Sequence, residues 1–491
     1  MTLQTALPTP ADQGHPRRTL ILALMAACAT MTVALVAAIN LAVPKLAASS
    51  LHPSAAQLLW IVDAYVIVFA CLLIPAGAVG DRYGRKGALL AGLAVFAAGC
   101  VASALAPDVG ALIAGRAVTG LGAALVMPAT LSLTVQAFPP RLRAQAIASW
   151  TAATGIAGIV GNIGGGLVLE YLPWQGLFWA VAPVMLILLA LSARIAPRSE
   201  RHPADLDLVG CGVLVLAFVA LLYGIIEGPE LGWSSSPVLG AFAASALVLG
   251  LFVAYALRAA HPLIDPRIFR VARLRSGVSG VTVTFFGLFA LFFVNAQYLQ
   301  YVKGFSPLLT GVAIGPLALG MMVVSRRSVA LAARFGGRRV VLAGMLAVAC
   351  GLGLLSTVDP ETPYAGYAAY LVLMSVGMGL AVPALSTAVI GGLPPARAGL
   401  GSGLNGAARE VGSALGVAVL GTILSTRFAA GLPAGVHART IGQALARSGP
   451  DAHARVVSAF TDAMAAGYRV IALIVLAAAF VVAFWYRPAE K

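Results

Sequence analysis

The stretch GAVGDRYGRKGALL (residues 77–90) decides the fold of this chain, because it sets four charged residues between two long apolar runs. Each flanking run extends for about 20 residues, enough for a helix to cross a hydrocarbon core roughly 30 Å thick. Gly80 and Gly84 permit a tight connection, since glycine has no Cβ that would clash. The stretch therefore predicts two membrane-spanning helices joined by a short polar turn.

The same alternation of apolar runs and short polar turns continues along all 491 residues. The composition is 60% hydrophobic and only 10% charged, and a soluble protein of this length needs more charge to cover its surface. We therefore predict an all-α polytopic membrane protein with fourteen transmembrane helices. The predicted spans are residues 20–43, 58–79, 88–106, 110–135, 146–169, 176–194, 207–227, 237–257, 276–300, 308–327, 340–357, 366–390, 404–427 and 467–486.

The distribution of lysine and arginine predicts the orientation of the spans. An even number of spans puts both termini on one side, and cytoplasmic termini leave 24 basic residues inside, 7 outside and Arg116 within a span. Five of the outer seven lie in or beside a predicted long outer loop, residues 428–466, and long loops count less in this rule. The net charge of +15 is thus a topology signal scattered over short loops, which argues against nucleic acid as a partner. We expect a cytoplasmic (inner) membrane protein with both termini in the cytoplasm.

Two similar turns indicate an internal repeat. GDRYGRKGALLAG (80–92) follows the second span and ARFGGRRVVLAG (333–344) follows the tenth, although any cytoplasmic turn rich in glycine and arginine would look similar. Two six-helix halves that rock about a midplane site are a known transporter design. The predicted domains are a cytoplasmic tail 1–19, an N-terminal bundle 20–206, two additional helices 207–257, a cytoplasmic linker 258–275 and a C-terminal bundle 276–487.

Several motifs of enzymes and metal proteins are absent from the sequence. It contains no G-x-x-x-x-G-K-[ST] phosphate loop, no G-x-S-x-G and no H-E-x-x-H. The five cysteines fall within apolar spans and are interpreted as packing residues. We expect no enzymatic activity, no cofactor and no metal.

The turn at 77–90 resembles the signature G-x-x-x-D-R-x-G-R-(K/R) of the major facilitator superfamily. The matching positions are Gly77, Asp81, Arg82, Gly84, Arg85 and Lys86. The resemblance implies that Asp81 belongs to a charge latch that favours the outward-facing state. The alternative is a turn that only fixes topology.

A second stretch, ALIAGRAVTGLGAAL (111–125), resembles the R-x-x-x-G-x-G motif in the fourth span of the same superfamily. Arg116 would lie at membrane depth, which is tolerated only inside the bundle or beside water. Gly120 lies one turn further on the same face and leaves room for the arginine or for a close helix. The resemblance implies a role for Arg116 in proton transfer. The alternative is an arginine that holds helices together through backbone carbonyls.

GIAGIVGNIGGGLVL (155–169) resembles the fifth-span motif that marks exporters, whose core is G-P-x-x-G-G. The core here comprises Gly161, Asn162, Gly165 and Gly166, with asparagine in place of proline. Ala157, Gly161 and Gly165 form a ridge of small residues that allows close helix approach. The missing proline puts the usual bend in doubt, although the glycines at residues 164–166 could allow a kink in its place.

The resemblance favours the fourteen-span drug:proton antiporter branch, which includes quaternary-ammonium exporters. Similar stretches are DLDLVGCGVLVLAFVALLYGIIEGPELGW (205–233), HPLIDPRIFR (261–270) and AAREVGSALGVAVLGTIL (407–424). One departure matters. Many members carry a first-span aspartate where this chain has Leu35, and the nearby Asn40 does not take up a proton near neutral pH.

All six histidines lie in predicted loops or tails, so a proton relay in the membrane must rest on carboxylates. Asp63, in LLWIVDAYVIVFA (58–70), resembles an acidic second-span position of quaternary-ammonium exporters, and Glu410 lies in the thirteenth span. Asp63, Arg116 and Glu410 are our candidates for proton coupling, because burial favours a neutral carboxyl and water a charged one. The alternatives are a snorkelling or arginine-paired Asp63, and a Glu410 paired with Arg409 near the cytoplasmic end of its span.

The predicted function is proton-coupled efflux of amphipathic, cationic drugs, dyes or antibiotics by a monomer. The alternative is a dedicated exporter, or a proton-coupled importer, of one endogenous or neutral metabolite. A candidate substrate cavity comprises Asn40, Trp60, Tyr65, Phe285, Phe289 and Tyr298, since aromatic rings attract lipophilic cations. Aromatic side chains in a span more often serve packing or lipid contact. Arg326 and Arg327, near the inner end of the tenth span, are interpreted as snorkelling residues.

Overall fold

A computed structural model describes residues 14–47, 49–53, 55–197, 207–260, 262–305, 307–394, 397–433, 438 and 441–486. These ranges contain helices and turns and no β-strand. Fourteen segments of the described chain are long and apolar enough to cross a membrane, which confirms the predicted number and the all-α class. Below, the first to fourteenth spans are these segments in chain order.

The first eight spans follow one another in the chain as helices joined by short connections. Their bounds are Arg18–Ala47, Ala55–Tyr83, Arg85–Ala104, Val109–Ala137, Arg143–Gly155 with Ala157–Tyr171, Gln175–Ile195, Leu208–Leu231 and Ser236–Ala256. The fifth span comprises two helices, separated at Ile156.

The remaining six spans repeat the pattern of the first six. Their helices are Ala272–Gln297 with the π-helical turn Tyr298–Val302, Pro307–Ala313 with Gly315–Phe335, Gly337–Leu355, Tyr364–Gly391, Ala398–Gly431 and Pro450–Trp485. A short helix, Ile441–Arg447, precedes the last span. The side of the bundle where the first helix begins and the last one ends is called the terminal face below, and the other side the opposite face.

Two separate apolar cores divide the spans into two bundles. One core lies between Ile21 and Ala196 and the other between Val281 and Val482. The seventh span packs against the second and the thirteenth, while the eighth packs mainly against the seventh. The seventh and eighth spans are therefore additions to a two-bundle design.

The two turns that indicated a repeat have the same conformation. A single glycine joins the second span to the third and the tenth to the eleventh, with φ of 102° at Gly84 and 88° at Gly336. Side chains other than glycine rarely adopt such values. The glycine at each turn is thus required by the backbone, and the likeness of the two turns supports the internal repeat.

Close helix contacts repeat in the same way. A Cβ atom at Gly161 of the fifth span would overlap the carbonyl oxygen of Ala34 in the first. A Cβ atom at Gly412 of the thirteenth span would overlap the carbonyl oxygen of Thr282 in the ninth. In both helices, a glycine four residues further makes the next contact with the same neighbour. Equivalent helix pairs of the two halves are therefore packed in the same way, with glycines of one helix against the backbone of the other.

The fifth span is interrupted at a different place from the glycines that could allow a kink. The helix Ala157–Tyr171 runs unbroken through residues 164–166, and the interruption lies at Ile156 instead. The tenth span is interrupted too, at Ile314, and its Met321 packs against Gly155 of the fifth. The two divided helices thus contact each other across the boundary between the halves.

The long outer loop predicted at 428–466 was also wrong in large part. The thirteenth span continues to Gly431, and the last helix begins at Pro450 rather than near 467. Val456, Phe460 and Met464 are buried at helical spacing, so the start of this helix is amphipathic. Hydrophobicity alone located only its uniformly apolar part.

The turn between the eleventh and twelfth spans is closed by Asp359. Its Oδ1 accepts hydrogen bonds from the backbone N–H of Thr362 (2.6 Å), the Thr362 hydroxyl (2.7 Å) and the backbone N–H of Glu361 (3.0 Å). The Thr362 hydroxyl and backbone N–H groups lower the pKa of Asp359 from its ordinary value. The Tyr298 hydroxyl donates to the Asp359 carbonyl at 2.9 Å, which ties the end of the ninth span to this turn.

We expect Asp359→Ala to loosen this turn, because the two amides would lose their acceptor. Amide hydrogen exchange of residues 359–363, followed by mass spectrometry in detergent, should accelerate several-fold at neutral pH. Glu361→Ala, which removes an exposed carboxylate that accepts none of these bonds, should leave the exchange unchanged. Because the pKa of Asp359 is lowered, the wild-type protection should persist at mildly acidic pH and fade only as the pH falls through the lowered value.

Candidate functional site

The charged turn of the second span reaches across to the other half of the protein. Asp81 Oδ1 pairs with Arg85 Nε at 3.2 Å, and Asp81 Oδ2 accepts a hydrogen bond from the backbone N–H of Leu400 at 3.1 Å. Leu400 lies in the first turn of the helix Ala398–Gly431. The first N–H groups of a helix have no partner within the helix and carry partial positive charge, so a carboxylate there is stabilising.

The hydrogen bond from the Leu400 N–H to Asp81 is called the Asp81 cap below. Further contacts join the halves near this cap. The hydroxyls of Ser132 and Ser402, in the fourth and thirteenth spans, lie 3.3 Å apart. Gly403 packs so closely on the second span that a Cβ would lie 2.6 Å from the Leu73 carbonyl oxygen. In this conformation, the second, fourth and thirteenth spans are in contact at the terminal face.

The other motif residues of the turn support it within the N-terminal half. Lys86 Nζ donates to the carbonyl oxygens of Ala193 and Ala196, both at 2.8 Å, and so ties the third span to the end of the sixth. The Arg82 guanidinium lies 5.3 Å from the centre of the Tyr83 ring. Gly77 is buried in the last turns of the second span.

Arg116 is completely buried, as the sequence predicted. Its Nε donates to the Ile61 carbonyl at 3.0 Å and its Nη2 lies 3.5 Å from the Val62 carbonyl oxygen, both in the second span. Its guanidinium carbon lies 4.7 Å from the centre of the Tyr65 ring. Gly120 permits this approach, because a Cβ there would lie 2.6 Å from the Tyr65 carbonyl oxygen. Carbonyl oxygens and an aromatic face thus stabilise a charge inside the bundle.

Tyr65 connects this arginine to other spans. Its ring is fully buried and its hydroxyl donates to the Thr32 carbonyl of the first span at 2.8 Å. The Tyr65 ring also meets the Phe96 ring of the third span edge to face, with ring centres 6.2 Å apart. One buried tyrosine of the second span therefore contacts the first, third and fourth spans.

Two predicted site residues, Asp63 and Asn40, have side chains outside the described part of the chain. The backbone of Asp63 belongs to the second-span helix, directly after the Val62 carbonyl that faces Arg116. The roles of both side chains stay predictions.

Glu410 lies deeper in the membrane than the sequence suggested. The helix of the thirteenth span begins at Ala398 rather than at 404, which puts Glu410 twelve residues from its start, or about 18 Å. Glu410 is half-buried. The neighbouring Arg409 directs its guanidinium onto the Phe285 ring, at 4.5 Å from the ring centre. Among the described residues, Arg409 and Glu410 form no ion pair, so the alternative of a paired Glu410 near the helix end is not supported.

The exporter motif forms the packing surface that its spacing predicted. Gly161 lies against the carbonyl oxygen of Ala34 and Gly165 against Ala38, both in the first span. Gly166 lies further away, since a Cβ there would be 4.0 Å from Leu41. Asn162, at the position of the usual proline, lies towards the C-terminal half. A Cβ on Gly311 would be 3.7 Å from the Asn162 Cβ.

The predicted aromatic residues do not form one cavity. Tyr65 and Tyr298 are each fully buried, in the N-terminal and C-terminal cores respectively, with hydroxyls bonded to backbone carbonyls. Phe285 is buried under Arg409, and Phe289 stacks on Phe285 with ring centres 6.3 Å apart. Trp60 is 38% exposed near the opposite face. Most of these aromatic residues are therefore packing residues, because they are buried or hydrogen-bonded.

Sequence reasoning missed several contacts that join the halves. Leu400 takes part through its backbone, and Ser132 and Ser402 are 270 residues apart in the chain. Within the N-terminal half, Thr32 likewise contributes only a carbonyl oxygen to its contact with Tyr65. No residue type or spacing signals such partners, so only the tertiary structure reveals them.

Two six-helix bundles, joined through a charged cap and enclosing a buried arginine, define a multi-pass membrane protein with the architecture of secondary transporters. The chain matches the family model of the Major Facilitator Superfamily over residues 20–417, and it belongs to that family.

Relatives and solved structures agree with this assignment. The tetracenomycin C resistance and export protein of Streptomyces glaucescens is 34% identical over 425 residues, which cover 85% of this chain and 78% of the relative. The multidrug efflux pump LfrA of Mycolicibacterium smegmatis is 30% identical over 98% of both chains. The proton:xylose symporter XylE has a similar fold, with a TM-score of 0.63 and 13% identity over 94% of both chains.

The glycine ridge of the fifth span yields a test of packing. We expect Gly161→Ala to lower the free energy of unfolding by about 1–3 kcal/mol, because the new Cβ would overlap the backbone of the first span. Gly164→Ala, whose Cβ would meet nothing within 4 Å, should be neutral or slightly stabilising. Fluorescence-detected thermal melts in detergent would measure both. Equal losses in the two variants would contradict the packing argument.

The Asp81 cap yields a test of contact between the halves. In a background without the five native cysteines, Ser132→Cys with Ser402→Cys should cross-link on mild oxidation, because the two hydroxyls lie 3.3 Å apart. Adding Asp81→Asn should slow cross-linking roughly five- to tenfold, since a charge-assisted bond is replaced by a neutral one.

The matched control for the cross-linking is Asp108→Asn. Asp108 also caps a helix, accepting from the Ala111 N–H at 2.8 Å, but within one half. The Asp108→Asn variant should leave the cross-linking rate unchanged. If Asp81→Asn does not change the cross-linking rate, the Asp81 cap does not hold the halves together.

Proposed function

We propose that this protein exports amphipathic, cationic drugs, dyes or antibiotics in exchange for protons, by alternating access across the cytoplasmic membrane. The observation that carries the proposal is the buried Arg116, whose guanidinium lies against the Ile61 and Val62 carbonyls, directly before Asp63 in the second span. Relatives named as export and efflux proteins support the direction of transport. In this proposal the terminal face is cytoplasmic and the transporter acts as a monomer.

Coupling requires a group whose protonation differs between the two states of the transporter. Asp63 and Glu410 are the candidates, and a carboxyl that is neutral without a cation and charged with one would link the two fluxes. Arg116 lies against the backbone of the second span beside Asp63 in sequence, so it can favour the charged form of a nearby carboxylate. Proton uptake would then compete with cation binding.

The Asp81 cap supplies the conformational part of the proposal. With the cap made, the terminal face is held together by Asp81, Leu400 and the two serines. Opening that face requires these polar groups to separate and to be hydrated, which is possible at the membrane surface. The resting conformation would then be the one that is closed to the cytoplasm.

A second candidate function is export of a single neutral metabolite, or its proton-coupled uptake. Leu35 favours this candidate. It occupies the usual position of a first-span aspartate and is 1% exposed in the N-terminal core, so it offers no charge to a cation. A deletion strain that becomes sensitive to one compound, and not to many, would support this narrower role.

The deciding experiment uses inside-out vesicles energised by a pH gradient, with ethidium accumulation as the readout. Wild type should accumulate ethidium, while Asp63→Asn and Glu410→Gln should each lose at least tenfold in rate at equal expression. Asp207→Asn, which changes a carboxylate that caps the seventh span, should retain transport.

Each outcome of the vesicle experiment is informative. If Asp63→Asn and Glu410→Gln transport like wild type, neither carboxyl couples protons and the proposed mechanism fails. If wild type accumulates no cation from a panel of dyes, cation export fails and the neutral substrate becomes the better hypothesis.

A further inference from the structure

The tenth span exposes two adjacent arginines inside the region of the membrane. Arg326 and Arg327 are both exposed, and neither makes an ion pair or hydrogen bond with any part of the chain that the structure describes. The span itself contains no aspartate or glutamate. The described part of the chain thus supplies no counter-charge to this pair.

The depth of the pair follows from the helix length. The span Leu309–Phe335 has 27 residues and measures about 40 Å, some 10 Å longer than a hydrocarbon core of about 30 Å. Arg326 lies nine residues, or about 13 Å, before the end of the helix at Phe335. A centred helix thus puts its Cα about 8 Å inside the hydrocarbon. Its side chain must extend towards the headgroups of the terminal face.

The pair lies on the exposed face of its helix rather than in the protein interior. The buried face of this helix packs on the twelfth span, where Ser328 donates to the Leu380 carbonyl at 2.8 Å, and on the fifth, where Met321 meets Gly155. The opposite face carries Leu319 and Val323, which are 59% and 55% exposed. The arginines follow them at helical spacing, three to eight residues further along. They continue a lipid-exposed apolar stripe towards the terminal face.

We infer that Arg326 and Arg327 bind the phosphate of an anionic phospholipid. Two guanidinium groups offer planar pairs of donors that match phosphate oxygens, and the exposed Leu319 and Val323 lie where the acyl chains of the same lipid would run. The phosphodiester neutralises charges that would otherwise be costly at this depth. The site is on the exposed face of the tenth span.

The chain offers a matched control pair. Arg338 and Arg339 are also adjacent, exposed and at the terminal face, but they follow the Gly336 turn rather than an apolar stripe. Replacing either pair by glutamine removes the same charge from the same face. A difference between the two double variants therefore reports on the stripe and not on net charge.

The test titrates the purified full-length chain in detergent with a fluorescent phosphatidylglycerol. R326Q/R327Q should bind it roughly 30-fold more weakly, about 1 kcal/mol for each arginine, whereas R338Q/R339Q should change the affinity less than about threefold. Unlabelled phosphatidylglycerol should displace the probe from wild type. Phosphatidylcholine and inorganic phosphate at the same concentration should not.

Several results would overturn the inference. They are equal losses in both double variants, an unchanged affinity in R326Q/R327Q, and displacement by phosphatidylcholine or by inorganic phosphate as readily as by phosphatidylglycerol. A thermal melt in lipid-free detergent checks that the variants are folded. If the double variant does not fold, R326Q and R327Q are titrated singly, and each should bind about fivefold more weakly. Unchanged affinity in both would be equally decisive against the site.

Discussion

Close approach of helices at glycine is the constraint on which the rest of this structure depends. Apolar side chains gain little by leaving lipid for protein, so spans associate through tight packing and through polar contacts that need short distances. Gly161 and Gly412 each lie against a carbonyl oxygen of a neighbouring span, in equivalent helix pairs of the two halves. Gly120 does the same against Tyr65 and so brings Arg116 within reach of the second span. The buried charge is possible because the backbones are close.

Two arginines show two ways of stabilising a cation inside the bundle. Arg116 lies against helix carbonyls and the Tyr65 ring, whereas Arg409 lies against the Phe285 ring. The carbonyl oxygens of a helix carry partial negative charge, so they attract a cation although they are already bonded within the helix. A guanidinium that lies against a neighbouring span is therefore stabilised in part by the backbone of that span.

The halves are joined at the terminal face by both polar and apolar contacts. Within a half, helices are packed through continuous apolar cores. Between the halves, the Asp81 carboxylate on a helix N-terminus and a pair of hydroxyls lie beside a smaller apolar cluster that includes Ile74, Leu400 and Leu404. The polar contacts are exchanged for water at small net cost, and the apolar cluster is smaller than the core of either half. The contact between the halves is therefore less extensive than the packing within each.

The sequence by itself determined the all-α class, the number of spans, the position of the charged turn and the burial of Arg116. These depend on composition, on the length of apolar runs and on the cost of a charge in hydrocarbon, all of which act locally. The tertiary structure decided the partner of Asp81, the backbone partners of Arg116 and the pairing of Ser132 with Ser402. Each of these depends on groups far apart in the chain, mostly backbone atoms, which every residue carries and which therefore leave no mark in the sequence.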